Sequence, residues 1–220
     1  MQSSQRSRWL RSEVFDPERG TQYEAGVKTA LVPDRLVATL AFYHIKKKNV
    51  LTTDPTNFLF SVQTGEQRSQ GVEFDITANL ARGWNLIASY AYTDARLTQD
   101  NTFAIGNRLP NIAHHFGSLW TTYEMYDGRL KGFGAGVGVF AAGKRAGDLN
   151  NSFELPGYVR VDAALYYRKP EVFSRTNLVA SLNFRNLFDT QYYDAAQNSR
   201  VIIYPGAPFT VLGSIRLEYF

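Results

Sequence analysis

Gln70-Gly71-Val72-Glu73-Phe74-Asp75-Ile76-Thr77-Ala78-Asn79-Leu80 alternates between two kinds of residue without a break. Successive side chains of a β-strand point to opposite faces. Val72, Phe74, Ile76, Ala78 and Leu80 therefore share one face, and Gly71, Glu73, Asp75, Thr77 and Asn79 share the other. The period returns in Tyr158–Arg168, where Val159, Val161, Ala163, Leu165 and Tyr167 oppose Tyr158, Arg160, Asp162, Ala164 and Tyr166. In Lys131–Phe140 the residues Phe133, Ala135, Val137 and Val139 alternate with four glycines. Leu178, Ala180, Leu182 and Phe184 alternate with Val179, Ser181, Asn183 and Arg185, and Phe209, Val211, Ile215, Leu217 and Tyr219 mark the last run. No segment carries a convincing helical stripe.

The pattern predicts about nine strands, near 21–31, 36–47, 67–80, 84–95, 113–125, 130–142, 157–168, 176–186 and 209–220. The runs at 36–47 and 113–125 alternate poorly, so their facing is open. Val32-Pro33-Asp34-Arg35, Ala81-Arg82-Gly83 and Tyr126-Asp127-Gly128-Arg129 are tight-turn signals. Longer polar links fall near 48–66, 96–112, 143–156 and 187–208, so short and long connections alternate. An up-and-down barrel in an outer membrane has short turns on one side and long loops on the other. A soluble Greek-key sandwich has no reason for that asymmetry. The expected fold is all-β, an antiparallel up-and-down transmembrane β-barrel segment of about nine strands from a larger barrel.

Composition agrees. There are 24 Lys+Arg against 20 Asp+Glu in 220 residues, with the basic residues scattered, which argues against a nucleic-acid binder. Thirteen Tyr and 15 Phe suit strands and interfacial aromatic belts. With no Cys, neither a disulfide framework nor a thiolate metal site is possible. No window of about 18 apolar residues predicts a membrane helix. Residues 1–14 are polar and basic, lack the apolar core of a signal peptide, and read as a residual loop or fragment start.

Candidate chemical sites are few. Gly138 to Lys144 has the spacing of a P-loop, but Arg145 stands where Ser or Thr belongs and no helix follows. His114 and His115 are adjacent, and neighbours in a strand face apart, so a shared metal ion is not expected. Glu73, Asp75, Arg160, Asp162 and Arg185 fall on polar faces and are better read as lining a hydrated lumen than as catalytic acids. Nothing points to an enzyme. The long links carry Phe58, Phe60, Phe103, Phe153, Tyr192, Tyr193 and Tyr204. Such rings suit a bulky organic chelate, although an interfacial belt or loop packing is the better reading for most of them.

Five stretches resemble the C-terminal barrel of TonB-dependent siderophore receptors of the ferrichrome type. They are Phe15-Asp16-Pro17-Glu18 through Tyr23-Glu24-Ala25-Gly26-Val27-Lys28; Arg68-Ser69-Gln70-Gly71-Val72-Glu73; Leu109-Pro110-Asn111; Asn183-Phe184-Arg185-Asn186-Leu187-Phe188-Asp189 with Tyr192; and Tyr204-Pro205-Gly206-Ala207-Pro208. The resemblance covers nearly the whole chain from residue 15. It implies residues 15–220 as the C-terminal part of a receptor barrel in the bacterial outer membrane, without plug or TonB box. The implied function is ferric-siderophore uptake, with no cofactor. The implied partners are the ferric siderophore, outer-membrane lipids and, through a plug in the intact receptor, the TonB system. Tyr204 matches a ligand-contacting position in the last loop, and Tyr193, Phe58 and Phe60 are the other candidate contacts. A passive porin, a soluble carbohydrate-binding β-sandwich and an inactive gene fragment are the alternatives.

Overall fold

The computed structural model describes residues 15–173 and 175–219. Nine strands form one antiparallel sheet: β1 (Arg19–Val32), β2 (Leu36–Thr53), β3 (Ser61–Ala81), β4 (Trp84–Gln99), β5 (His115–Glu124), β6 (Phe133–Ala142), β9 (Tyr158–Phe173), β10 (Thr176–Arg185) and β13 (Thr210–Tyr219). They pair in chain order. Two small hairpins stand outside this sheet, β7 (Arg145–Ala146) with β8 (Glu154–Leu155) and β11 (Tyr193–Ala196) with β12 (Ile203–Pro205). Residues 1–14 and Phe220, and so the expected fragment start and the last residue of the final strand, lie outside the described residues.

All nine sheet strands coincide with the expected ones. β2 and β3 run further than the periodicity predicts, to Thr53 and from Ser61, which shrinks the expected 48–66 link to 54–60. Pairing continues there because Thr52 faces Val62 and its hydroxyl meets Thr64 Oγ1 at 2.8 Å. The register shifts between Lys48 and Val50, where Asn49 adopts φ 60°, and this bulge hides the continuation from a simple period-two reading. Long links at 54–60, 100–114, 143–157 and 186–209 alternate with short ones.

The register settles the two ambiguous strands. Phe42 pairs Val72, Val72 pairs Tyr92, and Tyr92 pairs His115. The even residues of β2 thus share the apolar face with Phe74, Ile76 and Ala78, and the odd residues of β5 join them. Following the pairs onward brings Leu119, Val139 and Val161 onto that face, and likewise Leu165, Leu182 and Ala180 with Ile215. Its large side chains are uncovered: Val27, Leu165, Leu217 and Ile215 are all exposed, Ile215 by 78 %. Aromatic residues flank the band at both ends. Tyr23, Phe42, Tyr90, Tyr92 and Phe184 stand toward the long links, and Trp84, Tyr123, Phe133, Tyr167 and Tyr219 toward the short turns. An apolar band between two aromatic girdles is the outer surface of a membrane barrel. A concavity of about 920 Å³ lined by Met125, Leu130, Phe133, Leu165, Leu182 and Ile215 belongs to this apolar face.

The opposite face carries Gln22, Glu24, Glu73, Asp75, Ser118, Arg160, Asp162, Asn183 and Arg216, with Val37, Ile45, Ile87, Val179 and Leu212 among its apolar members. Among the described residues Glu73 and Asp75 form no ion pair, as hydrated lumen residues can. The glycines of β6 lie on this face because aromatic rings cover them. A Cβ on Gly138 would fall 2.1 Å from Trp120 Cε3, and one on Gly134 would fall 2.2 Å from Tyr166 Cζ. Gly138→Ala must displace Trp120 and is expected to destabilise the barrel by about 1–3 kcal/mol. Gly117→Ala, whose Cβ would have 3.7 Å of room, is expected to be near neutral. Chemical unfolding of both variants in micelles checks the contrast.

Candidate functional site

The most deeply buried side chains gather at the long-link end of the sheet. Leu97, near the end of β4, and Ala146, Leu155, Tyr192, Ala196 and Asn186 in the long links are all nearly inaccessible. Three of the long links interlock there. Asn186, 0 % exposed and at φ 53°, opens the last link. Its Nδ2 donates to Thr190 O at 2.9 Å and Ala207 O at 3.0 Å, and its Oδ1 accepts from Thr190 N at 2.9 Å. Asp189 Oδ1 accepts from Phe209 N at 2.8 Å. These bonds pinch the base of the 186–209 link, tying its first residues to its last.

The pinch is anchored to the lumen face. Asp162 receives Arg160 through two bonds of 3.0 Å and also accepts Asn186 N at 2.8 Å. Arg160 Nη1 reaches Tyr192 OH at 3.3 Å, and its Cζ lies 4.7 Å from the Phe140 ring centre. Tyr192 stacks on Tyr158 with centroids 4.3 Å apart. Gly206 makes room for Tyr192, since a Cβ would fall 2.2 Å from its ring. Among the loop aromatics, Tyr192 is thus a packing residue, not an open ligand contact.

The β11–β12 hairpin rides on this base. Asn111, at φ 64°, pairs with Ala196 in both directions: Nδ2 donates to its O at 2.9 Å and Oδ1 accepts its N at 2.8 Å. Arg145 Nη1 and Nη2 donate to Asp194 O and Tyr193 O, each at 2.6 Å. Tyr193 and Tyr204 lie on facing strands of the hairpin, about half exposed, with Tyr204 OH donating to Gln197 Oε1 at 3.2 Å. Two of the four expected contact residues are therefore brought together.

Phe58 and Phe60 are not with them. They sit in the 54–60 turn between β2 and β3, far along the sheet order from β10 and β13, and both are well exposed. Asp54 organises that turn by accepting Thr56 N and Thr56 Oγ1 at 2.7 Å and Asn57 N at 3.3 Å. The Thr56 hydroxyl first, then these backbone donors, hold its carboxyl below the usual carboxylate range. This restraint is present above the ordinary value and is lost as pH falls through the lowered one.

Other sequence candidates resolve simply. Gly138 to Ala142 is strand, so no phosphate loop exists there. His114 precedes β5 instead of lying within it, so strand alternation does not part the two histidines: both rings lie against Tyr92, with centroids 5.9 and 5.3 Å away. His114 Nδ1 bonds Thr93 O and His115 Nδ1 meets Tyr90 OH, each at 2.8 Å. Sequence reasoning missed Arg145 and Asn111 as organisers of the hairpin. Asn111 carried a signal, standing after Pro110 in a quoted motif; Arg145 carried none beyond spoiling the phosphate-loop pattern.

The family model for the TonB dependent receptor-like β-barrel matches residues 5–187. The chain belongs to the TonB-dependent receptor β-barrel family. It is 43 % identical over 211 residues to the metal-pseudopaline receptor CntO of Pseudomonas aeruginosa, covering 96 % of this chain and 29 % of that receptor. It is 39 % identical over 186 residues to the ferrichrome outer membrane transporter/phage receptor of Escherichia coli, covering 84 % of this chain and 25 % of that protein. Among solved structures, the siderophore receptor PiuA from Acinetobacter baumannii superposes with a TM-score of 0.74 at 26 % identity, covering 94 % of this chain and 29 % of that one. The chain thus spans less than a third of the length of these relatives. The family is one of outer-membrane transporters and receptors, not of enzymes.

Asn186→Ala would orphan Thr190 N and the carbonyls of Thr190 and Ala207, at about 1–3 kcal/mol for each buried group left unpaired. Tryptic cleavage after Arg200, the only Lys or Arg between 187 and 208, is expected to accelerate in this variant while sheet stability stays near wild type.

Proposed function

We propose that the receptor barrel containing this sheet imports a ferric siderophore across the outer membrane, powered through the TonB system. We further propose that the β11–β12 hairpin contacts the chelate through Tyr193 and Tyr204. The observation that carries this reading is a pair of half-exposed tyrosines on one hairpin, seated on a buried polar base in the last long link. Amphipathic rings with little conformational freedom suit contact with a large organic complex. The names of the receptors that share 39–43 % identity support a metal-chelate ligand. Phe58 and Phe60 form a separate exposed patch on the β2–β3 turn that reaches the same ligand only in a closed barrel. In the intact receptor, a plug in the lumen meets the polar face at Glu73, Asp75 and Arg185, and lipid meets the opposite one.

Likeness to a metal-pseudopaline receptor favours a wider second reading, in which the cargo is a metal chelate not restricted to iron. Binding of one chelator loaded with iron or with another transition metal separates the two.

In the complete receptor, Tyr193→Ala with Tyr204→Ala is expected to weaken chelate binding at least tenfold, about 1.4 kcal/mol. Cellular uptake of radioactive iron should fall in parallel. Unchanged affinity in the double variant would overturn the role of the hairpin. Phe58→Ala, measured alongside, reports whether the β2–β3 turn joins the site.

A further inference from the structure

Arg145 is 5 % exposed, and among the described residues it forms no ion pair. Its Cζ lies 5.5 Å from the Tyr158 ring centre, and its Nε has no hydrogen-bond partner. A buried cation without a carboxylate is costly unless its hydrogen bonds return something. Here the two terminal nitrogens take two consecutive carbonyls, Tyr193 O and Asp194 O, both at 2.6 Å. In a regular strand, successive carbonyls point to opposite sides. The register shift between Tyr193 and Ala195 turns both toward one side chain. A planar fork meets both with a donor on each terminal nitrogen, in a fixed geometry that the single, freely rotating ammonium of a lysine does not supply.

We propose that Arg145 is a positioning residue for the ligand-contacting hairpin. It fixes the angle at which Tyr193 and Tyr204 are presented. Asn111 continues the grip at Ala196, so β11 is held at 193, 194 and 196 by side chains from two other links. Two further ties run between the same links: Leu149 N donates to Asn198 Oδ1 at 2.6 Å, and Arg200 donates to Ser152 O. Among the described residues, every side-chain hydrogen bond of Arg145 and Asn111 ends on hairpin backbone. The hairpin's outward side chains can therefore change with the ligand while the mount stays the same. This inference rests on the ligand role proposed for the hairpin.

The test uses the complete receptor in its wild-type, Arg145→Ala and Arg145→Lys forms, with the Tyr193→Ala, Tyr204→Ala double variant beside them. Amide hydrogen exchange over 193–197 and the KM and maximal rate of chelate uptake are read together. Arg145→Ala is expected to speed exchange at 193–197 and raise KM roughly tenfold without lowering the maximal rate. Arg145→Lys, which keeps the charge and donors but not the fixed fork, is expected to fall between, and it also covers the case in which the alanine variant does not assemble. Unchanged exchange, or faster exchange with an unchanged KM, would overturn the proposal while leaving the ligand role intact. If the tyrosine variant itself keeps a wild-type KM, the ligand role fails and takes the proposal with it.

Discussion

In hydrocarbon, each peptide N–H and C=O must find its partner within the protein. That constraint sets what these residues can do. They form long strands bonded to neighbours on both sides, and period-two alternation then sorts side chains into a lipid face and a water face. Among the described residues, only the outer edges of β1 and β13 lack a partner strand in the sheet. In a nine-stranded antiparallel sheet the first and last strands run in the same direction. Closing such a sheet with antiparallel neighbours throughout takes an odd number of further strands. Joining β13 directly to β1 would create a parallel seam, in contrast to the even-stranded barrels usual in bacterial outer membranes.

Because an outer-membrane barrel turns one face to lipid and the other to water, a sheet of this kind needs no conventional core. Burial is concentrated instead where loops must hold a shape in water. The motifs that carry the family resemblance fall largely there, and they act as clamps and seats. Asn186 and Asp189 close the last link; Asn111 grips Ala196; Gly206 seats Tyr192. Gly71 does the same in the sheet, letting Tyr43 cross to Thr93, with the two hydroxyls 2.8 Å apart. The tyrosines proposed to meet ligand project from this frame and bear little of its bonding. A shared scaffold with variable projections fits a family whose named relatives take different chelates.

How much of this could be read from sequence follows from the range of each interaction. Alternation is local, so β3, β6, β9 and β10 were visible in single runs such as Gln70–Leu80. The facing of β2 and β5 depends on which residue stands opposite which, and only pairs such as Phe42–Val72 and Tyr92–His115 decide it. The ends of β2 and β3 were hidden by the bulge at Asn49. In the site, Tyr193 and Tyr204 were legible as aromatics in one link, but their union on a hairpin was not. What Arg145 and Asn111 hold was out of reach, because their partners lie 48, 49 and 85 residues away and are backbone atoms, which leave no side-chain signature.

The sorting of residues into a lipid face and a water face can be measured directly, since the chain contains no cysteine. Single cysteines placed in turn at 158 through 168 along β9, each carrying a nitroxide, would be examined in the complete receptor in lipid bilayers. Collision with oxygen reports lipid, and collision with a water-soluble nickel chelate reports the lumen. The account predicts a strict period of two, with 159, 161, 163, 165 and 167 favouring oxygen and 160, 162, 164 and 166 favouring the nickel chelate. Equal access to both reagents along the strand, or the opposite phase, would contradict it.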